Sequence, residues 1–336
     1  LYVGAFAIFI SFASWVSPLY AQAPKEWDPK RTWVFVIGVL EWIDPNIRGF
    51  PKDHRQDAEL VETLKTRGVP ESRIVCLYDT EATVARASEA FDQILSKTEP
   101  DDWLILYYCG HGNNSPDHTQ TFLQSADKSD SNPGIRIGAM LSMIEQKFRG
   151  RYVIIGADTC NSGGMVESIR SWRNPRVGYA AFCSSHVNSS STGAWTFTEN
   201  LVYGFKGDPT MDDDANGFVT LGEVASNILE DMTFADDQMP QYVMTRPLTS
   251  DVVISKVAGL AQGGVGRRVE VLSNGEWFRA LVKDREGDRF LVHYYGYPSI
   301  KDDWVERSEI RLLTKLTFGA GLMVDVESSG TWYPSK

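Results

Sequence analysis

Trp103-Leu104-Ile105-Leu106-Tyr107-Tyr108-Cys109-Gly110-His111-Gly112 and Tyr152-Val153-Ile154-Ile155-Gly156-Ala157-Asp158-Thr159-Cys160-Asn161-Ser162-Gly163-Gly164 are the two stretches that decide the fold. Each is a continuous apolar run that ends in small, turn-forming residues. Runs of this length without alternation read as strands buried on both faces, the pattern of a parallel sheet. One run delivers a histidine and the other a cysteine just past its last apolar residue. Ligands and chemistry gather at the carboxyl ends of parallel strands.

Working outward, Thr32–Leu40 is a further apolar strand, Ser72–Tyr78 a second, and Val177–Cys183 a third. Between them Asp53–Arg67 carries Ala58, Leu60, Val61 and Leu64 at helical spacing and is closed by Gly68. Ala82–Lys97 places Val84, Ala87, Phe91, Ile94 and Leu95 on one face, and Ile137–Phe148 reads as another helix. A polar loop fills the interval from His111 to about Pro133. Strands alternating with helices predict βαβ units, right-handed crossovers and a mostly parallel sheet of the α/β class.

The pattern changes after Ala258–Gly266, a small, uncharged, glycine-rich linker. Arg268–Leu272, Trp277–Lys283, Arg289–Tyr295 and Trp304–Val305 are short strands divided by Asn274-Gly275 and Glu286-Gly287-Asp288, and Asn-Gly is a hairpin signal. They predict a small SH3-like all-β barrel over 267–315, with Trp277 and Trp304 in its core. The expected organisation is thus 1–23 signal peptide, 24–257 α/β domain, 258–266 linker, 267–315 barrel and 316–336 an unassigned tail.

Composition bounds the function. The 336 residues carry a formal net charge of −11, which argues against general nucleic-acid binding. The acidity precedes the barrel: residues 265–315 hold ten Lys/Arg against nine Asp/Glu. Residues 1–23 have no charged side chain, and Ala21-Gln22-Ala23 is a small-x-small cleavage pattern, so export after cleavage near Ala23 is expected. An uncleaved membrane anchor is the alternative, although the apolar run is shorter than the ~20 residues of a usual span. No CxxC occurs and the five histidines do not cluster with cysteines, so no zinc site is expected.

A cysteine and a histidine brought together form the minimal machinery for covalent acyl transfer. Cys160 is the expected nucleophile and His111 its general acid/base, with the backbone N–H groups of Gly112 and Cys160 as oxyanion donors. These motifs resemble the caspase/metacaspase superfamily of cysteine peptidases, and more closely its bacterial caspase-like branch. The resemblance rests on strand–Gly-His-Gly, on Asp158-x-Cys160-x-Ser162-Gly163, on Asp57-Ala58 opening the first helix and on Thr196-Phe197-Thr198. The 49 residues from His111 to Cys160 are close to the caspase spacing of about 50. The similarity covers about residues 30–255 and implies a caspase-haemoglobinase fold, a three-layer α/β/α sandwich with a mostly parallel sheet, and endopeptidase activity on a polypeptide substrate. The chain lacks the Gln-Ala-Cys motif of true caspases and has Asn161 where metacaspases usually have His.

The resemblance also implies that Asp158 is the acid at the floor of the S1 pocket, favouring Arg or Lys before the scissile bond (P1). Ser184 and Ser185 end the next strand and are expected to line the same cleft. A P1 preference for Asn or Asp, and a non-catalytic scaffold whose barrel holds the partner, are the alternatives. Arg170, Arg173 and Arg176 lie where related proteins are sometimes cleaved, which suggests autoprocessing.

Two further motifs remain. Asp212-Asp213-Asp214-Ala215-Asn216-Gly217-Phe218-Val219-Thr220-Leu221-Gly222-Glu223 fits an EF-hand loop, with Asp212, Asp214, Asn216, the Phe218 carbonyl and Glu223 as Ca²⁺ ligands. Its entering side is interrupted by Gly204, Gly207 and Pro209, and Ca²⁺ there would brace the cleft wall. The barrel resembles the chromo-barrel/Tudor-knot/agenet class, whose aromatic cage holds methylated lysine by cation–π contact. Phe278, Tyr294 and Tyr297 match cage positions, and Lys301 stands at the fourth, so the barrel is read as a protein-interaction module.

Overall fold

A computed structural model of the chain describes residues 26–172, 174–257, 264–312, 324–328 and 331–335. The expected signal peptide, Arg173 and most of the linker lie outside these residues. The elements run β1 Thr32–Gly38, α1 Gln56–Thr66, β2 Ile74–Tyr78, α2 Val84–Lys97, β3 Trp103–Cys109, β4 Gly112–Asn114, β5 Thr121–Leu123, β6 Ile135–Arg136, α3 Ile137–Lys147, β7 Tyr152–Asp158, α4 Gly163–Arg170 and β8 Gly178–Cys183. They continue as α5 Thr196–Lys206, β9 Phe218–Thr220, α6 Leu221–Asp236, β10 Gln241–Met244, β11 Val253–Lys256, β12 Arg268–Ser273, β13 Glu276–Glu286, β14 Arg289–Tyr294, β15 Asp303–Glu306, β16 Ile310–Leu312, β17 Val324–Ser328 and β18 Thr331–Ser335.

The central sheet has the order β10-β8-β7-β3-β1-β2, parallel except for the edge strand β10. Side chains alternate between its two faces, as strand geometry requires. Phe35, Ile37, Leu104, Leu106, Val153 and Ile155 join the apolar stripes of α2, α3 and α4 in one core. Val34, Val36, Ile105, Tyr107 and Ile154 meet α1, α5 and α6 in the other. This is the three-layer sandwich that the sequence predicts.

Several local placements differ from expectation. The polar stretch after His111 contains a three-stranded sheet, β4-β5-β6, whose strands of two or three residues are too short to show a period. Gly204 lies inside α5, where a Cβ would come within 2.7 Å of Val224 Cγ2, so its absence lets α5 and α6 pack closely. Gly207, at φ +74°, ends that helix. Of the arginines expected at an exposed processing loop after the nucleophile, Arg170 is the last residue of α4 and Arg176 is anchored to carbonyls at the end of α3.

The barrel sheet runs β15-β14-β13-β12-β16, antiparallel throughout. Its core is Val269, Val271, Ala280, Val282, Val292, Val305 and Ile310. Trp277 and Trp304 are not in it. Trp277 is 39% exposed and lies beneath Arg311, while Arg289 covers Trp304. The tail forms the hairpin β17–β18. Among the described residues, no helix is long and apolar enough to cross a membrane.

The barrel docks on the α/β domain through groups that are mostly buried. Arg268 pairs with Asp231 and donates to Asn227 Oδ1 at 2.8 Å, and Lys283 pairs with Asp208. The Tyr295 hydroxyl donates to Asp231 Oδ1 at 2.8 Å. His293, 1% exposed, lies 2.7 Å from Asp302 within the barrel and 3.6 Å from Glu199 on α5.

Candidate active site

Strands β3 and β7 are hydrogen-bonded neighbours, and their register pairs Cys109 with Asp158. His111 and Cys160 each lie two residues beyond that rung. Parallel pairing in register therefore brings the two loops to the same end of the sheet. Gly110, at φ +143°, turns the chain out of β3, and Asn161, at φ +60°, turns it out of β7. Asn tolerates this left-handed region better than most side chains. At Gly112 a Cβ would sit 2.3 Å from the Cys160 carbonyl oxygen and 2.6 Å from Thr159 Oγ1. Glycine there is what allows the two loops to touch.

The nucleophile turn is braced from below. Ser184 Oγ accepts from the Thr159 N–H at 3.0 Å, Ser185 Oγ donates to the Thr159 carbonyl at 2.9 Å, and Ser162 Oγ accepts from the Ser185 N–H at 3.0 Å. Both predicted cleft serines are thus buried supports of the turn and do not line the cavity. Cys160 Sγ accepts from the Ser191 N–H at 3.2 Å, which holds the sulfur against the loop that follows β8.

The His111 ring packs against both Trp42 and Phe50, at centroid distances of 4.6 and 4.7 Å, and those two rings also touch each other at 6.1 Å. Its Nε2 is 2.8 Å from the carbonyl of Arg48. A carbonyl only accepts, so this contact assigns the proton to Nε2 and leaves Nδ1 as the basic nitrogen. Arg48 acts through its backbone, which no side-chain motif reveals.

His111 and Cys160 line one cavity of about 360 Å³, together with Asp158, Glu199 and Trp195. Asp158 is almost fully buried and lines it. Its Oδ2 accepts from Thr198 Oγ1 at 2.7 Å, and that oxygen is 2.6 Å from the Tyr107 hydroxyl. Burial pushes the Asp158 carboxyl up to about 7, against the hydrogen bond from Thr198, and the nearby Asp236 adds to the rise. Asp236 is itself pushed up to about 6, first by burial and further by Glu199. Asp158 and Glu199 line the cavity and Asp236 lies within electrostatic reach of both, and only Asp158 stood out in the sequence. Such a group favours a cation among them.

Asp212, Asp214 and Glu223 bring ligand atoms within 4.8 Å of one another. The loop is preorganised: Asp212 accepts from the Asn216 and Gly217 N–H groups, and Asn216 Oδ1 accepts from the Phe218 N–H. Glu223 closes a capping box with Thr220 at the start of α6. The donor set is all oxygen, as Ca²⁺ requires. None of these residues lines the cavity; Asp213 instead bonds to Asn227, the residue that meets Arg268 of the barrel.

In the barrel, Phe278 makes edge-on contacts with Tyr294 and Tyr297, at 6.2 and 6.4 Å between centroids. The three expected cage residues are thus together. Tyr297 also lines the catalytic cavity, with Gly296 and Pro298.

Comparison with known proteins fits this division. The Agenet domain model matches residues 266–314. Metacaspase-7 of Arabidopsis thaliana is 27% identical over 127 residues, which are 35% of this chain and 30% of that protein. The match therefore spans less than a third of the length of that relative. Among solved structures, protein GSU0716 from Geobacter sulfurreducens aligns over 68% of this chain and 99% of its own, at a TM-score of 0.47 and 14% identity. The two sequence matches fit a metacaspase-like protein with a C-terminal agenet domain.

Proposed function

We propose that the chain is a cysteine endopeptidase in which Cys160 attacks the scissile carbonyl and His111 moves the proton. The observation that carries this reading is the shared cleft at the ends of β3 and β7, with the His111 ring oriented by the Arg48 carbonyl. In this reading His111 Nδ1 takes the thiol proton and returns it to the leaving amine, and water then hydrolyses the thioester. The N–H groups of Gly112 and Cys160 hold the oxyanion. The acidic lining of the cleft around Asp158 favours Arg or Lys at P1, because a guanidinium or ammonium replaces the repulsion among carboxylates with charge-assisted hydrogen bonds.

Ca²⁺ at Asp212, Asp214, Asn216, Phe218 and Glu223 belongs to the same proposal as a structural ion beside the barrel junction. Phe278, Tyr294 and Tyr297 are proposed as the barrel's contact for a protein ligand, and residues 1–23 as an export signal.

The test is cleavage of fluorogenic peptides with Arg, Lys, Asn or Asp at P1, with and without Ca²⁺, beside Cys160→Ala. Cleavage after Arg and Lys that disappears in Cys160→Ala supports the assignment. Cleavage after Asn or Asp alone would reject the role given to Asp158. Turnover that survives in Cys160→Ala would reject the nucleophile.

A further inference from the structure

The barrel is not an appendage held at a distance from the cleft. The turn after β14 is fixed at both ends: Tyr295 is bonded to Asp231 of α6, and the Tyr297 N–H donates to the Tyr294 carbonyl at 3.1 Å. Gly296, at φ +80°, makes the reversal possible. Upstream, His293 is gripped between Asp302 and Glu199, and Glu199 itself lines the cleft. This framework presents Tyr297, 47% exposed, and Pro298 to the catalytic cavity. The Phe278 ring meets that of Tyr297 at 77° and braces it.

We infer that Tyr297 is a specificity residue of the catalytic cleft, and that with Pro298 it forms a wall that receives an apolar side chain of the bound polypeptide next to P1. The inference rests on the peptidase reading of the site. Its basis is the lining of the cavity, which sets the rings of Phe50, Trp195, Tyr297 and Pro298 beside the carboxylates of Asp53, Asp158 and Glu199. A cleft of about 360 Å³ holds more than one side chain. A ring or branched chain packed on a braced aromatic is desolvated without leaving a polar group unpaired. One chain thus builds a single substrate site from two domains, and Tyr297 belongs to the enzyme as much as to the barrel's aromatic corner.

The test uses the full chain and blocked tetrapeptide coumarylamides with Arg at P1 and glycine elsewhere. A single Phe is placed one, two or three residues before the Arg. The native chain is expected to prefer one Phe peptide over the all-glycine peptide by roughly tenfold in kcat/KM, a factor worth about 1.4 kcal/mol. Tyr297→Ala should bring that ratio to about one, Tyr297→Phe should keep it, and Leu272→Ala, an exposed barrel position outside the cleft, should not alter it. If the native chain cleaves P1-Arg peptides, a preference that persists in Tyr297→Ala, or no preference in the native chain, overturns the inference. Fluorescence anisotropy of the same peptides, labelled and lacking the coumarin, on Cys160→Ala with and without Tyr297→Ala separates the two readings. Binding that depends on Tyr297, when the native chain cleaves none of the peptides, sinks the peptidase reading and leaves Tyr297 as the recognition wall. Equal binding, or none to either chain, overturns the role of Tyr297.

Discussion

Thr198 Oγ1 donates to Asp158 Oδ2 across 2.7 Å while lying 2.6 Å from the Tyr107 hydroxyl, so a relay from β3 through α5 ends on the buried acid of the cleft. With Thr198 donating onward, the Tyr107 hydroxyl donates to Thr198. The relay opposes the desolvation that pushes Asp158 up. Thr198→Val should raise the Asp158 carboxyl further and leave the Tyr107 hydroxyl without its acceptor. The expected effect is an increase in KM for P1-Arg peptides of roughly tenfold at pH 7, smaller at pH 9, where Asp158 is ionised in either chain. A KM unchanged at both pH values would count against the relay.

Asp158 also makes a stability prediction. Its value in the folded chain, about 7, lies above the ordinary 3.8. Between those values the folded chain keeps a proton that the unfolded chain has released, so this group weakens the fold as pH rises from about 4 to about 7. Asp158→Asn removes that loss. Differential scanning calorimetry should find the variant's Tm no higher than the native value at pH 4 and roughly 2–4 °C higher at pH 8, for a gain of about 1 kcal/mol.

The loop that orients His111 is constrained at Gly49, where a Cβ would sit 2.5 Å from the Leu40 carbonyl oxygen. Gly49→Ala should shift the adjacent Arg48 carbonyl and turn the imidazole. Misplacement on the order of 1 Å at a catalytic group costs about 10²-fold. Steady-state kinetics should place this loss in kcat rather than KM. Arg48→Ala keeps the carbonyl and should cost less.

His293 is pushed up to about 9: burial opposes the rise, and the bonds to Asp302 and Glu199 outweigh it. A raised histidine contributes stability that is fully present below its ordinary 6.5 and is lost as pH rises through about 9. His293→Gln should therefore lower Tm most near pH 6, and the deficit should shrink by pH 10. Limited proteolysis in the linker should follow the same pH course. A deficit independent of pH would mean that His293 acts by packing alone.

The α/β sandwich was legible in the sequence because β1, β3, β7 and β8 are buried on both faces and their apolar runs need no partner to be recognised. The positions of His111 and Cys160 followed from the same runs. What escaped has a common cause. The Arg48 carbonyl works through backbone, so its residue type carries no signal. Glu199 reaches the cleft, and Asp236 its neighbourhood, only through the packing of α5 and α6, far along the chain from Cys160. The strands β4 to β6 are too short for a period to emerge. Trp277 and Trp304 are large and aromatic, the usual marks of a core. Yet seven smaller residues, mostly valine, fill this barrel and leave those rings to stack with arginines. Tyr297 was visible as a barrel aromatic, but its place at the cleft depends on ion pairs between residues at least 37 apart in the chain.

Those ion pairs change the meaning of the barrel's near-neutral composition. Its Arg268, Arg279, Lys283 and His293 all meet the α/β domain, opposite Asp231, Asp237, Asp208 and Glu199. In a chain of net charge −11, the barrel is a built-in counter-ion. Added salt should screen only the more exposed Arg279–Asp237 pair, because the buried pairs are shielded from it. A chain cut at the linker would leave Asp231, Asp208 and Glu199 facing water beside a cleft that already repels negative charge, so its acid–base behaviour would differ from that of the whole protein.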